Sequence, residues 1–401
     1  GSDSGILWSY QASDEILFIS QNRPDGYFYL TTEDDKLHII KPDGEIYNVI
    51  QLPAAPFHQM SDTGRSPALF IEPIILPDGT IIEISDENTI YAMNIDGEIL
   101  WEHIFESAPA EYPIQYELGN LYFIDNDAAM NAFDKNGLKW RFQTEAADIP
   151  ADGIAVDQEG NIYYVVTDYS KGYLQAVSSE GENIWVVEAK TRDFYDELHI
   201  SQDGKYLSLA EDLILTGMGE LIEYQNAGDT DEFIFASNGQ NFVRSLHTVS
   251  EWRPGSEGIE ILGSGIVSEE DTTLRPPLGS SADSNGIVWL YYPETYTGGG
   301  IIVVWMSPDG EILGNHLFDR NFQTIISMDM DRSILTECIW FDDTNSIDCS
   351  SYSPYSQEAV WSAILQDIPS FNGGYIDGNM MYVFGENDEI YLINLGGPTA
   401  P

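Results

Sequence analysis

The sequence repeats itself from end to end, and this repetition constrains the fold more than any other feature. The clearest unit runs from Pro77 to Phe105, PDGTIIEISDENTIYAMNIDGEILWEHIF: a β-rich run, a polar turn, a second run, an Asp-Gly turn and a third run containing Trp101. Variants follow from Asp25 to Ile50, from Gly119 to Phe142 and from Gly160 to Val187. More eroded copies begin at Asp203, Asn238, Asn285, Asp329 and Asp377. The starts lie about 36 to 53 residues apart, the spacing of supersecondary units that bury their faces only by stacking on one another. Alternation such as Ile82 and Ile84 against Glu83 and Ser85 marks pleated strands. Turns such as Pro42-Asp43-Gly44 and Ile95-Asp96-Gly97 supply the glycine that a tight hairpin needs.

This pattern predicts an all-β chain: a single β-propeller of four-stranded antiparallel blades spanning residues 1–401. Counting starts predicts nine blades; eight is the alternative, if one of the copies at Asp203 or Asn238 is an insertion. Asp3 to Tyr10 copies the DGEILW strand without the earlier strands of a repeat, whereas Asn379 to Asn394 has earlier strands and no DGEILW. Residues 3–10 are therefore expected to complete the last blade and close the ring, which removes open sheet edges. Gly1 and Ser2 read as a tag scar. Trp101, Trp140, Trp185 and Trp361 each fall near the start of an outer strand and are expected to wedge between blades.

The run from Ile90 to Trp101, IYAMNIDGEILW, resembles the repeat of the quinoprotein-like (pyrroloquinoline-quinone-like) propellers, in which a "lYAld" strand precedes a turn and a strand with a docking tryptophan. The resemblance spans the chain, strong in the second to fourth repeats and eroded in the fifth and sixth. It implies the fold. It does not imply one activity, because the family includes quinone-dependent dehydrogenases, outer-membrane assembly scaffolds and binding proteins of unknown ligand. A dehydrogenase of this family would carry an adjacent cysteine pair and a calcium cluster, whereas Cys338 and Cys349 are eleven positions apart, so no quinone is expected.

The chain carries 67 Asp and Glu against 16 Lys and Arg, a formal net charge of −51. Such a chain repels phosphate backbones and anionic lipid, which disfavours nucleic-acid and peripheral-membrane roles and predicts a soluble monomer. No apolar window is long enough for a transmembrane helix. Structural calcium stays open, but Asp125-Asn126-Asp127, Asp229-Thr230-Asp231 and Asp329-Met330-Asp331 lack the distal bidentate Glu of a full calcium loop and read as polar turns; no metal site is assigned. Cys338 and Cys349 flank a hairpin symmetric about 343/344, which places them face to face. They are a disulfide in an oxidising compartment, or two small buried thiols in a reducing one. The disulfide reading predicts an exported protein, extracellular, periplasmic or at the cell surface, whose signal or lipid anchor was trimmed from this sequence.

No catalytic residue is assigned, because no GxSxG, P-loop or dinucleotide fingerprint occurs and the six histidines show no metal spacing. Four long segments, Leu52 to Glu72, His247 to Gly258, Ser268 to Ala282 and Tyr291 to Gly300, are expected to be loops on one face. They carry the candidate ligand-binding residues Arg65, Trp252, Arg253, Arg275, Tyr292 and Tyr296, a less negative island suited to an acidic partner. Two functions follow: a noncatalytic scaffold binding a protein or glycan through that face, or a lyase or hydrolase using carboxylates and Tyr at the channel mouth.

Overall fold

A short strand with apolar residues in both of its rows has to be covered on two faces, and the repeats meet this need by stacking as sheets. The computed structural model describes residues 5–19, 26–54, 58–59, 69–70, 73–85, 88–107, 109, 115–117, 119–147, 149–168, 170–189, 198–209, 212–222, 232–236, 238–245, 248–255, 258–266, 279–293, 301–307, 311–318, 324–329, 333–356, 359–366, 368, 370–371, 373–377, 380–385 and 388–395. In chain order the strands are β1 (Gly5–Gln11); β2 (Ile16–Ile19), β3 (Phe28–Thr32), β4 (Lys36–Ile40) and β5 (Ile46–Gln51); the hairpin β6 (His58–Gln59) and β7 (Leu69–Phe70); and β8 (Ile74–Ile75), β9 (Ile81–Ser85), β10 (Thr89–Met93) and β11 (Ile99–Ile104). There follow β12 (Gln115–Glu117), β13 (Asn120–Ile124), β14 (Ala129–Asp134) and β15 (Gly137–Gln143); β16 (Ile149–Val156), β17 (Ile162–Thr167), β18 (Gly172–Val177) and β19 (Asn183–Glu188); and β20 (Leu198–Ile200), β21 (Tyr206–Leu209), β22 (Asp212–Leu215) and β23 (Glu220–Leu221). The last are β24 (Glu232–Phe235), β25 (Asn241–Ser245), β26 (Thr248–Gly255) and β27 (Gly258–Ile266); β28 (Gly279–Ala282), β29 (Val288–Pro293), β30 (Ile301–Met306) and β31 (Ile312–Phe318); β32 (Thr324–Asp329), β33 (Ile334–Phe341), β34 (Ser346–Tyr352) and β35 (Trp361–Leu365); and β36 (Gly373–Asp377), β37 (Met380–Phe384) and β38 (Glu389–Asn394).

These strands make the nine four-stranded antiparallel blades of a β-propeller. The first blade is β2–β5, the second β8–β11, and the third to eighth follow in sequence. The copies at Asp203 and Asn238 are the complete fifth and sixth blades, β20–β23 and β24–β27, so nine is the count. The ninth blade has the order β36-β37-β38-β1. Its fourth strand is the N-terminal one, paired antiparallel from Gly5 opposite Asn394 to Gln11 opposite Glu389, as the split repeat predicts.

By their contacts the residues divide into two units, Gly1–Pro150 with Pro369–Leu395, and Ala151–Ile368 with Gly396–Pro401. Within the first, Leu30 and Ile40 of the first blade pack with Ile390 of the ninth, while Tyr29, Leu37 and Ile39 pack with Ile75, Ile81 and Met93 of the second. The other row of the second blade, Ile82, Ile84 and Ile90, meets Leu121, Phe123 and Phe133 of the third. Within the second unit the same two-sided packing joins Val165 to Leu207, Tyr206 to Phe233, Phe242 to Val288 and Trp305 to Leu335.

Trp101 and Trp185 join neighbouring blades as expected, through a contact that Trp8 repeats. Trp8 in β1 donates its indole N–H to the carbonyl of Pro42 (3.0 Å), Trp101 in β11 to that of Lys135 (2.7 Å) and Trp185 in β19 to that of Thr216 (2.6 Å). In each case the acceptor lies in the turn between the third and fourth strands of the following blade. The first blade has Asn48 where the repeat calls for tryptophan, and its side-chain amide donates to the carbonyl of Ile95 (3.2 Å) in the corresponding turn. The ring lies so close to that turn that a Cβ on Gly44 would fall 2.6 Å from Trp8, and one on Gly219 2.7 Å from Trp185. Trp140 packs on Tyr122 of its own blade, with centroids 6.2 Å apart.

Cys338 and Cys349 are directly opposite in the register of β33 and β34, their Cα atoms 4.1 Å apart, and are joined as a disulfide. This is the close spacing of a non-hydrogen-bonded pair. The register follows the symmetric hairpin, with Phe341 opposite Ser346 across the turn.

Candidate functional site

Of the expected binding residues, Arg65, Arg275 and Tyr296 lie outside the described residues, and Tyr292 is placed only by its backbone, opposite Ile302 in the sheet. Trp252 is a correction. The segment from His247 to Gly258 is largely not a loop but the start of the hairpin β26–β27, because alternating apolar residues such as Val249 and Ile259 continue the ladder. Trp252 there is only 2% exposed and packs edge-on against Tyr206 at 5.4 Å and Phe233 at 5.9 Å. It is a core residue between the fifth and sixth blades. Arg253 points the other way and is exposed, directly across the ladder from Glu260. Likewise, Tyr291, Tyr292 and Pro293 end strand β29, and Gly279 to Ala282 form β28.

The buried polar groups form ties. Asp125, part of the first calcium-like fragment, accepts from Arg141 Nη2 (2.8 Å) and Nε (2.9 Å), from Asn131 Nδ2 (3.1 Å) and from the backbone N–H groups of Asp127 and Ala129. A carboxylate so neutralised by one guanidinium has no need of a cation. Asp157 and Asp283 anchor the first turn of their blades, Asp157 accepting from Tyr163 (2.9 Å) and Asp283 from the Trp289 indole (2.9 Å). Among the described residues no group of three or more His, Cys, Asp or Glu is placed to hold a metal ion.

A further polar cluster lies where β1 meets the first blade. Tyr10 bonds His38 Nδ1 at 2.7 Å, while Thr32 and Ser13 approach Nε2 at 3.2 and 3.3 Å. Thr32 gives its own proton to Asp34 (2.6 Å), so it accepts from Nε2–H, and Nδ1 accepts from Tyr10. Burial holds the imidazole below its ordinary value, with Asp34 partly opposing, so His38 is neutral near pH 7. Asp34 bonds Lys36, Thr32 and Ser13, and the Lys36 bond, first among these, lowers it to about 2. Every member is engaged with another across this seam. Sequence reasoning missed the cluster because its members come from two separate stretches, residues 10–13 and 32–38, that only the fold brings together.

Among the described residues, one buried carboxyl has no hydrogen-bond partner. Glu83 in β9 is 2% exposed, and neither carboxyl oxygen makes a hydrogen bond. Its row neighbour Ile81 packs on Tyr29 and Leu37 of the first blade, and Thr31, in the row of Tyr29, has an unbonded buried hydroxyl as well. Burial raises the Glu83 carboxyl well above the usual range, so it is kept as the neutral acid. The alternation at 81–85 is real, but both faces are covered, which puts this Glu inside.

The exposed surface has its own regularity. The fourth strand, the outer one in a propeller, leaves apolar residues in water in several blades: Leu7 in β1, Tyr47 and Val49 in β5, Leu100 and Ile104 in β11, Ile184 and Val186 in β19, and Leu317 in β31. In a chain with 67 acidic residues, β1, β5, β15, β31 and β35 contain no carboxylate at all. Acids also sit in the turns before fourth strands, as at Asp43 and Glu45 before β5, Asp96 and Glu98 before β11, and Glu180 and Glu182 before β19.

No protein-family model matches the chain, and no curated protein matches it in sequence. Solved structures do match in fold. A crystal structure of a eukaryotic initiation factor superposes with a TM-score of 0.57 at 8% identity, covering 92% of this chain and 91% of that one. The WD40 domain of SCAP from fission yeast gives 0.52 at 10% identity, covering 98% of each. BamB from Moraxella catarrhalis gives 0.49 at 10% identity, covering 98% of this chain and 100% of that one. At such identities the likeness shows the β-propeller fold and nothing finer.

Proposed function

We propose that this chain is an exported, noncatalytic β-propeller that binds a protein partner, and that the outer strands of its blades are the docking surface. The observation that carries the reading is that outer strands of several blades expose aliphatic side chains, and that five of these strands, β1, β5, β15, β31 and β35, hold no carboxylate in a protein of net charge −51. Isolated exposed aliphatics are ordinary, but the same positions exposed from blade to blade make a surface. Uncharged open edges also invite aggregation unless something covers them, and folded proteins usually blunt them with charge. Noncatalytic use is supported by the polar clusters, whose members are spent on each other. Export is supported by the disulfide. The repeat resemblance, to a family that includes assembly scaffolds, agrees with both.

The test is site-specific photo-cross-linking of the full chain in its source cells, with the reactive group at Val49, Ile104 or Val186 on outer strands, or at Asp343 in the β33–β34 turn as the control. Protein adducts from the outer strands and none from Asp343 are the expected result. Adducts at Asp343 alone, or no protein adduct at any position, would overturn the proposal.

A further inference from the structure

One outer strand shows how such a partner is recognised, an inference that rests on the scaffold reading above. β11 is the last strand of its sheet and, among the described residues, pairs only with β10, so its far edge carries backbone groups with no neighbouring described strand. Its two rows differ in character. Trp101 and His103 are tied inward: Trp101 donates to Lys135 of the third blade, and His103 lies edge-on to Phe133 with centroids 5.3 Å apart. The other row reads Leu100, Glu102, Ile104, with Leu100 52% and Ile104 69% exposed; the register shifts at Leu100, where Ile99 is exposed as well, and Glu98 and Glu106 are exposed in the chain on either side of the strand. Acid and aliphatic therefore alternate along the open row, with further acids at both of its ends.

We propose that the β11 edge receives an extended segment of the partner by β-strand addition, and that this segment alternates basic with apolar residues in its facing row. Cross-strand neighbours on one face lie about 5 Å apart, so a segment with that alternation sets a cation against each glutamate and an apolar side chain against Leu100 and Ile104. A second copy of this chain is a poor occupant, because each copy carries a net charge of −51 and would present acid to acid. A nucleic acid is excluded by the same sign. The occupant is a cationic, strand-forming protein segment.

The probe is a fluorescent nonapeptide, Lys-Thr-Val-Thr-Lys-Thr-Val-Thr-Lys, titrated against the full chain by anisotropy. The same peptide with Glu for Lys is the charge control. Two further versions carry N-methyl groups on alternate residues, one set blocking each peptide edge. The parent should bind and weaken with salt, the Glu version should not bind, and one N-methylated version alone should lose binding. Leu100→Lys and Ile104→Lys, both at exposed positions, should each weaken the parent about tenfold, and Glu102→Gln several-fold. Equal binding by both N-methylated versions, or undiminished binding by Leu100→Lys, would reduce the interaction to adsorption of a cation on an acidic body and overturn the inference; so would no binding. Should this inference fail while outer-strand cross-links still capture a protein, the scaffold reading survives it; loss of both removes the two together.

Discussion

Replacing Glu83 by methionine should stabilise the propeller, and by more as the pH rises. The carboxyl sits between the first and second blades with both oxygens unbonded, in the row of Ile81, which belongs to the apolar cluster joining the two blades. Methionine has similar length, fills the space and removes both orphaned oxygens. A buried polar group without a partner costs about 1–3 kcal/mol, and that is the gain expected near pH 4, where the acid is protonated in both folded and unfolded chains. Above the ordinary glutamate value of 4.5 the unfolded chain gives up the proton while the folded chain, whose value is raised, keeps it. The stability tied to that proton is complete below the unfolded value and is lost as pH rises through the folded one, at about 1.4 kcal/mol per pH unit. The Glu83→Met advantage should therefore widen between pH 4 and pH 8. Urea unfolding of both proteins at pH 4, 6 and 8, followed by tryptophan fluorescence, measures it directly. A variant less stable at every pH, or an advantage that stays flat across the range, refutes the reasoning.

Two further outcomes follow from the ties described above. The unreduced, unfolded chain should show no reactive thiol, and Cys338→Ala with Cys349→Ala should lose about 3 kcal/mol of stability for a loop this short, read by the same unfolding assay. Arg141→Met strips the buried Asp125 of its counter-charge and should cost about 3–5 kcal/mol, a loss that Asp125→Asn in the same chain partly restores.

The propeller, the split last blade and the cysteine pairing could be read from the sequence because each is a local pattern. DGEILW marks a fourth strand wherever it occurs, and the symmetric hairpin fixes its own register. Asn48 was equally within reach: it stands where the aligned repeat has tryptophan, and its amide offers the same kind of donor. Trp252 and Glu83 were not, since part of what buries each belongs to a neighbouring blade some tens of residues away. Polarity at a position tells whether a side chain would prefer water. It does not tell whether another blade is already there.

The pairing of β1 with β38 has a consequence in time. Gly5 finds its partner Asn394 only after roughly 390 further residues have been made, which at about 5–20 residues per second is a delay of tens of seconds. Through that interval the first strand, with Ile6, Leu7 and Trp8, has no blade to join. A chain built this way benefits from a route that keeps it unfolded until it is whole, such as threading through a translocation channel, and from chaperones that shield its leading end on arrival.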